Sequence, residues 1–187
     1  RVKNVQFAGK LIKMDVRDIL FKIILMLKKK IKNFFINSVI VFVIFFVDRL
    51  SKIYILKKAE LENVVDIYLN PFLNFHLIWN KGIAFGLFSF NESFIYNVIT
   101  FIIVIIAIII LVMIVKNEGL KKYSLLVIFG GSLGNLFDRI YYSAVPDFID
   151  FHIKNFHWFV FNIADIFITI GIMCLIFDEM FTNNKKI

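Results

Sequence analysis

The sequence predicts a mainly α membrane protein: four transmembrane helices with a small extracytoplasmic β-sheet and loop. Three observations point there: an apolar composition, four runs of near-membrane length, and basic residues gathered outside those runs. Of the 187 residues, 60% are hydrophobic, against roughly 45–50% in soluble domains. The net charge of +8 would suit nucleic acid, but the charges flank the apolar runs, as anchors facing anionic lipid do. Membrane lipid is the expected partner, and nucleic acid is not. The single cysteine, Cys174, lies in the last run, excludes an internal disulfide and reads as a packing residue.

Residues 1–33 form a basic extension, 34–180 the helical domain and 181–187 a tail. Within the extension, Leu20, Ile23, Ile24 and Leu27 recur at helical spacing beside Lys22 and Lys28–Lys30. That pattern predicts a helix on the inner membrane face; a disordered basic tail is the alternative. No small-residue cleavage site follows the apolar run, so no secretory signal peptide is expected.

Each candidate span approaches the roughly 20 residues needed to cross a bilayer. The first runs from about Phe34 to Leu56, with Asp48, Arg49 and Lys52 toward its far end. The second, about Phe94 to Val115, is nearly continuous Ile, Val, Phe and Leu without a charge. The third, about Tyr123 to Arg139, carries Gly130, Gly131 and Gly134. Small residues let helices approach closely, which predicts a place in the middle of the bundle. The fourth runs from about Trp158 to Phe177.

Most of the 22 Lys and Arg residues precede the first span or lie in the 116–122 loop and the tail. The positive-inside rule then puts both termini in the cytoplasm. Residues 57–93 and 140–157 fall on the outer side. In the first of these, Val64, Ile67 and Leu69, then Phe72, Leu73, Phe75 and Leu77, read as short strands. Asn70-Pro71 marks a turn between them.

On this topology the polar residues gather near the outer interface. Asp48 and Lys52 share a face of the first span, Asn135, Asp138 and Arg139 one of the third, and Asn162 and Asp165 one of the fourth. Asp147 lies in the loop joining spans three and four, able to fold back over the bundle. A carboxylate at membrane depth costs roughly 2.5–3.5 kcal/mol. Neither Asp147 nor Asp165 has a basic residue three or four positions away. Two such groups within mutual reach can share one proton, which is acid–base machinery.

The other residues have plainer readings. Asp138 can pair with Arg139 and Asp48 with Lys52, while Asn135 and Asn162 can hydrogen-bond neighbouring helices. Asp147, Asp150, His152 and His157 offer conceivable metal ligands, but no HExxH spacing is present, so no metal is expected. An ion pathway would need polar residues through the midplane, where the second span has none. A lipid-modifying transferase or phosphatase would need basic clusters or metal-binding Asp repeats.

Five segments in order carry a resemblance: Asp48-Arg-Leu-Ser-Lys52, Asn80-Lys-Gly-Ile-Ala-Phe-Gly86, Gly130-Gly-Ser-Leu-Gly-Asn-Leu-Phe-Asp-Arg139, Val145-Pro-Asp-Phe148 and Phe161-Asn-Ile-Ala-Asp165. Over roughly residues 36–180 the chain resembles the lipoprotein signal peptidase family, signal peptidase II. Pro146, where the family often has an aliphatic residue, and the long amino-terminal segment depart from its pattern.

The resemblance implies an aspartyl endopeptidase of the bacterial cytoplasmic membrane, working near the outer leaflet. It would remove signal peptides from diacylglyceryl-modified prolipoproteins immediately before the lipidated cysteine. By the same resemblance Asp147 and Asp165 form the catalytic pair. Asp48, Lys52, Asn80, Gly82, Asn135, Arg139 and Asn162 support it, and Asp138 is the reserve candidate. No metal or organic cofactor is implied, and a four-span chain of this size can act as a monomer.

Overall fold

The computed structural model describes residues 15–62, 65–82, 93–154 and 156–183. Four helices and four strands follow in the order α1 (Val16–Glu62), β1 (Asp66–Asn70), β2 (Leu73–Asn80), α2 (Ser93–Lys116), α3 (Gly119–Tyr142), β3 (Val145–Ile153), β4 (Phe156–Phe161) and α4 (Ile163–Asn183). The chain divides into two compact units, residues 1–39 and 40–187. In the first, α1 begins at Val16 and nearly every side chain through Val39 is exposed, the apolar Phe21, Met26, Ile31, Phe34 and Phe35 included. The extension is therefore helical from Val16.

In the second unit the sheet has the order β1-β2-β3-β4, with every pair antiparallel. The Asn70-Pro71 turn falls where the sequence puts it, and Asn70 Oδ1 accepts the Phe72 N–H at 2.9 Å, a local bond that favours turn geometry. Between the pairs Phe75↔Ile149 and Ile78↔Asp147, β2 spends one residue more than β3. This bulge adjoins the strand position of Asp147. Bulges bend a strand and redirect its side chains, and they recur beside functional sites.

The inner strand β3 is buried along almost its whole length because β2 and β4 flank it. Beneath it, Ile55 of α1, Val65, Phe148 and Ile149 form an apolar cluster joined by Ala59, Ile67, Phe75, Phe161 and Ile166. Each fully buried aliphatic or aromatic side chain contributes roughly 1.5–3 kcal/mol. A second cluster, built on Ile114 of α2 with Leu125 and Leu126 of α3, takes in Ile40, Val41 and Leu175.

Helix α3 touches all the other helices, as its glycines predict. A Cβ on Gly134 would lie 2.5 Å from Asp48 Oδ2, and one on Gly131 would lie 2.6 Å from the Ala164 carbonyl oxygen. Those two approaches, to α1 and to α4, exist only because no side chain stands between the helices. On a third side, Tyr96 of α2 donates to the Arg139 carbonyl at 3.2 Å. The helix stops at Ser143, whose left-handed backbone (φ 55°) turns the chain into β3.

Two expectations need correcting. Asp147 lies in strand β3, not in a loop, and the fourth helix starts at Ile163 instead of about Trp158. Residues 156–161 pair with β3 as β4, and Asn162 starts the helix by capping it. A short apolar run has no period that separates buried strand from helix, so the aromatic stretch reads as part of the helix from sequence alone.

Among the described residues one helical stretch, Tyr96–Lys116, with a mean hydropathy of 3.7, is long and apolar enough to cross a membrane by length and composition. Helix α4 has Asp165 in its first turn and Asp178 and Glu179 near its far end. Helix α3 carries Lys121, Lys122, Asp138 and Arg139.

Candidate active site

The sequence step from β4 into α4 builds half of the site. Asn162 occupies the cap position: its Oδ1 accepts the Asp165 N–H at 3.1 Å, and Asp165 Oδ2 accepts the Asn162 N–H at 3.2 Å. This is a reciprocal capping box, which satisfies two otherwise orphaned donors. A third, the Ala164 N–H, donates to Asp48 Oδ1 of α1 at 3.0 Å. Two carboxylates thus sit at the positive end of the α4 dipole, where negative charge is favoured.

The other half comes from the sheet. Asp147, only 3% exposed, receives Asn80 Nδ2 at 2.8 Å on one oxygen and Asn162 Nδ2 at 2.6 Å on the other. Burial pushes its carboxyl up to about 7; the nearby Asp165 charge adds to the rise and the two amide donors oppose it. Asn80 continues outward, its Oδ1 accepting the Gly82 N–H at 2.8 Å.

Asp165 is tied to the interior by Asn135, whose Nδ2 donates to its Oδ1 at 2.8 Å. Asn135 Oδ1 in turn accepts from Lys52 Nζ at 3.0 Å. Lys52 is fully buried between Asp48 at 2.9 Å and Asp138 at 2.6 Å. Asp138 also pairs with Arg49 at 2.5 Å, and the Arg49 guanidinium lies 4.8 Å from the Phe137 ring centre. A buried charge left alone is very costly, so two cations facing two carboxylates make the cluster possible.

Asp138 therefore draws on Arg49 and Lys52, where the sequence pairs it with Arg139. Arg139 points instead to the Asn80 segment, donating to the Gly82 carbonyl at 2.8 Å and to the Asn135 carbonyl at 3.4 Å. Asp48 and Lys52 do engage one another four residues apart, as expected.

Asp147, Asp165, Asn80, Asn135, Arg139 and Asn162 converge on one cavity of about 310 Å³. Away from these polar groups, Ile103 and Ile106 of α2 and Ile168 and Ile172 of α4 line it. Two carboxylates held by amide donors at the head of an apolar cleft can exchange a proton with water and with a bound polar group.

The match of residues 40–181 to the family model for signal peptidase II decides the kinship. The chain belongs to the signal peptidase II family. It is 60% identical over 159 residues to the lipoprotein signal peptidase of Pelagibacter ubique, covering 85% of this chain and 96% of that one. To the lipoprotein signal peptidase of Anaplasma phagocytophilum it is 37% identical over 148 residues, 78% of this chain and 92% of that one. A solved bacterial membrane enzyme superposes with a TM-score of 0.65 at 26% identity, over 81% of this chain and 91% of the other. As a signal peptidase II family member, the chain is a bacterial membrane protein and a peptidase.

Within this family member, every residue that the sequence assigns to the pair or its support, from Asp48 to Asp165, belongs to the linked network, while Asp150, His152 and His157 stand apart and Gly86 lies outside the described residues. Sequence reasoning missed two participants. Arg49 stands inside the Asp48–Lys52 segment, one step off the face shared by its neighbours, and a buried Asp138 needs more than one cation. Tyr96 lies in the first turn of an apolar helix, beside Asn97 and Thr100, and nothing in its spacing singles out its hydroxyl.

Proposed function

We propose that this signal peptidase II family member is an aspartyl endopeptidase. It cleaves signal peptides from diacylglyceryl-modified prolipoproteins immediately before the lipidated cysteine, with Asp147 and Asp165 as the catalytic pair. The observation that carries the reading is their joint presence in one cavity, each held by an asparagine amide.

Two neighbouring carboxyls share one proton because both cannot ionise cheaply. The ionised member takes a proton from a water, whose oxygen forms the new bond to the scissile carbonyl carbon. The protonated member donates a hydrogen bond to the carbonyl oxygen. As the C–N bond breaks, a carboxyl proton passes to the leaving amine. The pair titrates jointly, so neither carboxyl owns the proton. The raised value of Asp147 supports a proton retained near neutrality.

Asn80, Asn135 and Asn162 orient the carboxylates. Arg139 braces the Gly82 carbonyl and, with its buried Nε lacking a partner among the described residues, keeps a donor for substrate. Asp48, Lys52 and Asp138 hold α1, α3 and α4 together behind the pair. The apolar part of the cavity suits a signal-peptide segment. No cofactor enters the reaction.

The four helices each cross the membrane, both termini are cytoplasmic, and the sheet rests at the outer face. The exposed apolar side chains of α2 and α4, such as Phe101, Ile105, Ile109, Ile170 and Met173, support lipid contact. A monomer contains every residue the mechanism uses.

The test is cleavage of a diacylglyceryl-modified prolipoprotein by purified wild type, Asp147→Asn and Asp165→Asn, each checked for folding. Asparagine keeps the size and cannot exchange the proton. Cleavage by wild type alone is expected; cleavage by both folded variants would remove the pair from the mechanism.

A further inference from the structure

The β3–β4 hairpin carries a second cluster that the peptidase chemistry leaves unused. His152 and His157 face one another across the hairpin in register, their rings stacked with centres 5.1 Å apart. Asp150 stands two residues before His152 on β3. One donor atom from each of the three lies within 4.8 Å of the others. Asp150 Oδ2 is 2.7 Å from His157 Nδ1 and 3.6 Å from His152 Nδ1.

These separations straddle the roughly 3.3 Å that adjacent ligands of a tetrahedral zinc ion would have at bond lengths of about 2.0–2.1 Å. The two Asp150 separations lie within about 0.6 Å of that value, and the widest pair, within 4.8 Å, closes by at most about 1.5 Å.

The hydrogen bonding of this patch is incomplete in one particular way. Asp150 and His152 are 2% and 7% exposed, yet Asp150 Oδ1 and His152 Nδ1 are buried with no hydrogen-bond partner among the described residues. Asn74, directly opposite Asp150 on β2, has its Oδ1 in the same condition. Buried polar atoms are nearly always satisfied. Two of these three atoms are oxygens that can only accept while Asp150 is ionised, and the unprotonated nitrogen of a neutral imidazole accepts as well. A group of acceptors lacking donors asks for a cation.

We infer that Asp150, His152 and His157 form a binding site for a borderline divalent metal ion, zinc foremost. Two imidazoles with one carboxylate favour Zn²⁺ over Mg²⁺ or Ca²⁺, which prefer all-oxygen shells. Each histidine binds as the neutral tautomer, with its ring proton on Nε2 and its Nδ1 lone pair on the metal. Asn74, opposite Asp150 in the register, offers its amide oxygen to complete the shell. The ion would fasten β4 to β3 three residues beyond Asp147, outside the reacting groups. The inference does not depend on the proposed protease mechanism.

The experiment uses the full chain purified without a histidine tag, stripped of metal and titrated with Zn²⁺ against a chromogenic indicator. Wild type should take up one Zn²⁺ per chain with a dissociation constant at or below about 10 µM. His157 is 58% exposed at its side chain, so His157→Gln should fold normally, as unchanged circular dichroism would check. It should bind Zn²⁺ at least about 100-fold more weakly, since even a group supporting a ligand costs about 10–100-fold. His152→Gln should behave likewise, and His76→Gln, at the third histidine, should bind as wild type does. Absence of uptake by wild type in this range, or undiminished uptake by His157→Gln, would overturn the site.

Discussion

The Asp48 carboxylate of α1 accepts the backbone N–H of Ala164 at 3.0 Å, one residue before Asp165. A residue 116 positions upstream thus caps the helix that carries half of the proposed catalytic pair. The same carboxylate balances Lys52. Asp48→Ala should therefore remove a helix cap and half of a buried ion pair together. The expected loss of stability is about 3–5 kcal/mol, the scale for stranding a buried charge. Thermal unfolding in detergent micelles checks it; a change below about 1 kcal/mol would contradict the burial argument.

Asn162 performs two separable tasks, capping α4 and donating to Asp147. Serine is a good cap but cannot reproduce the hydrogen bond that the Asn162 amide donates to the Asp147 carboxylate in β3. Asn162→Ala should cost about 1 kcal/mol of stability through the lost cap, and Asn162→Ser should recover most of it. Cleavage should stay depressed in both. Equal recovery of stability and turnover in the serine variant would show that Asp147 does not need the amide.

The pH dependence follows from the carboxyl of Asp147, raised from 3.8 to about 7. Below 3.8 the folded and unfolded chains both hold this proton, and between 3.8 and 7 only the folded chain holds it. Stability from this group is therefore complete at low pH and drains away as pH rises toward 7. Asp147→Asn should be more stable than wild type at pH 8 and lose the advantage toward pH 4. In wild type, kcat/KM should fall as pH rises through about 7, when the pair loses its shared proton. Activity undiminished from pH 6 to pH 9 would argue against proton sharing.

Close approach of helices gives a graded test. A Cβ on Gly131 would strike backbone of α4, whereas one on Gly130 would meet the Ile44 side chain at 3.0 Å. Gly131→Ala should cost about 1–3 kcal/mol, the range for overpacking, and displace the helix bearing Asp165. Gly130→Ala should cost less, since its approaches, 3.0 Å to Ile44 and 3.3 Å to the Val41 carbonyl oxygen, are looser than the 2.6 Å at Gly131. Unfolding midpoints and cleavage rates for the two variants, compared side by side, should keep that order.

Much of the site was legible because charge in an apolar run is expensive, so each aspartate and lysine had to find company. Asp48 with Lys52, and Asn162 with Asp165, follow from helical spacing alone. The partners of Asp138 did not, because adjacency to Arg139 says nothing about direction on a helix, where neighbours point about 100° apart. The strand holding Asp147 was hidden for a related reason. Val145–Ile153 is buried on both faces, so it lacks the alternation that exposes a half-buried strand. The central place of α3 was legible from its glycines, since a glycine weakens a helix unless a neighbouring backbone comes close enough to use the space.

The one-residue bulge in β2 fixes the parity of the strand beyond it. Successive strand side chains alternate between faces, so an odd count decides which side Asn80 presents to Asp147. A change of two residues in this hairpin arm should keep the amide on the carboxylate, since strand faces alternate with period two. A single deletion near His76-Leu77 should turn Asn80 away while leaving Asp147 and Asp165 in place. The length of this strand is thereby constrained by counting as well as by chemistry.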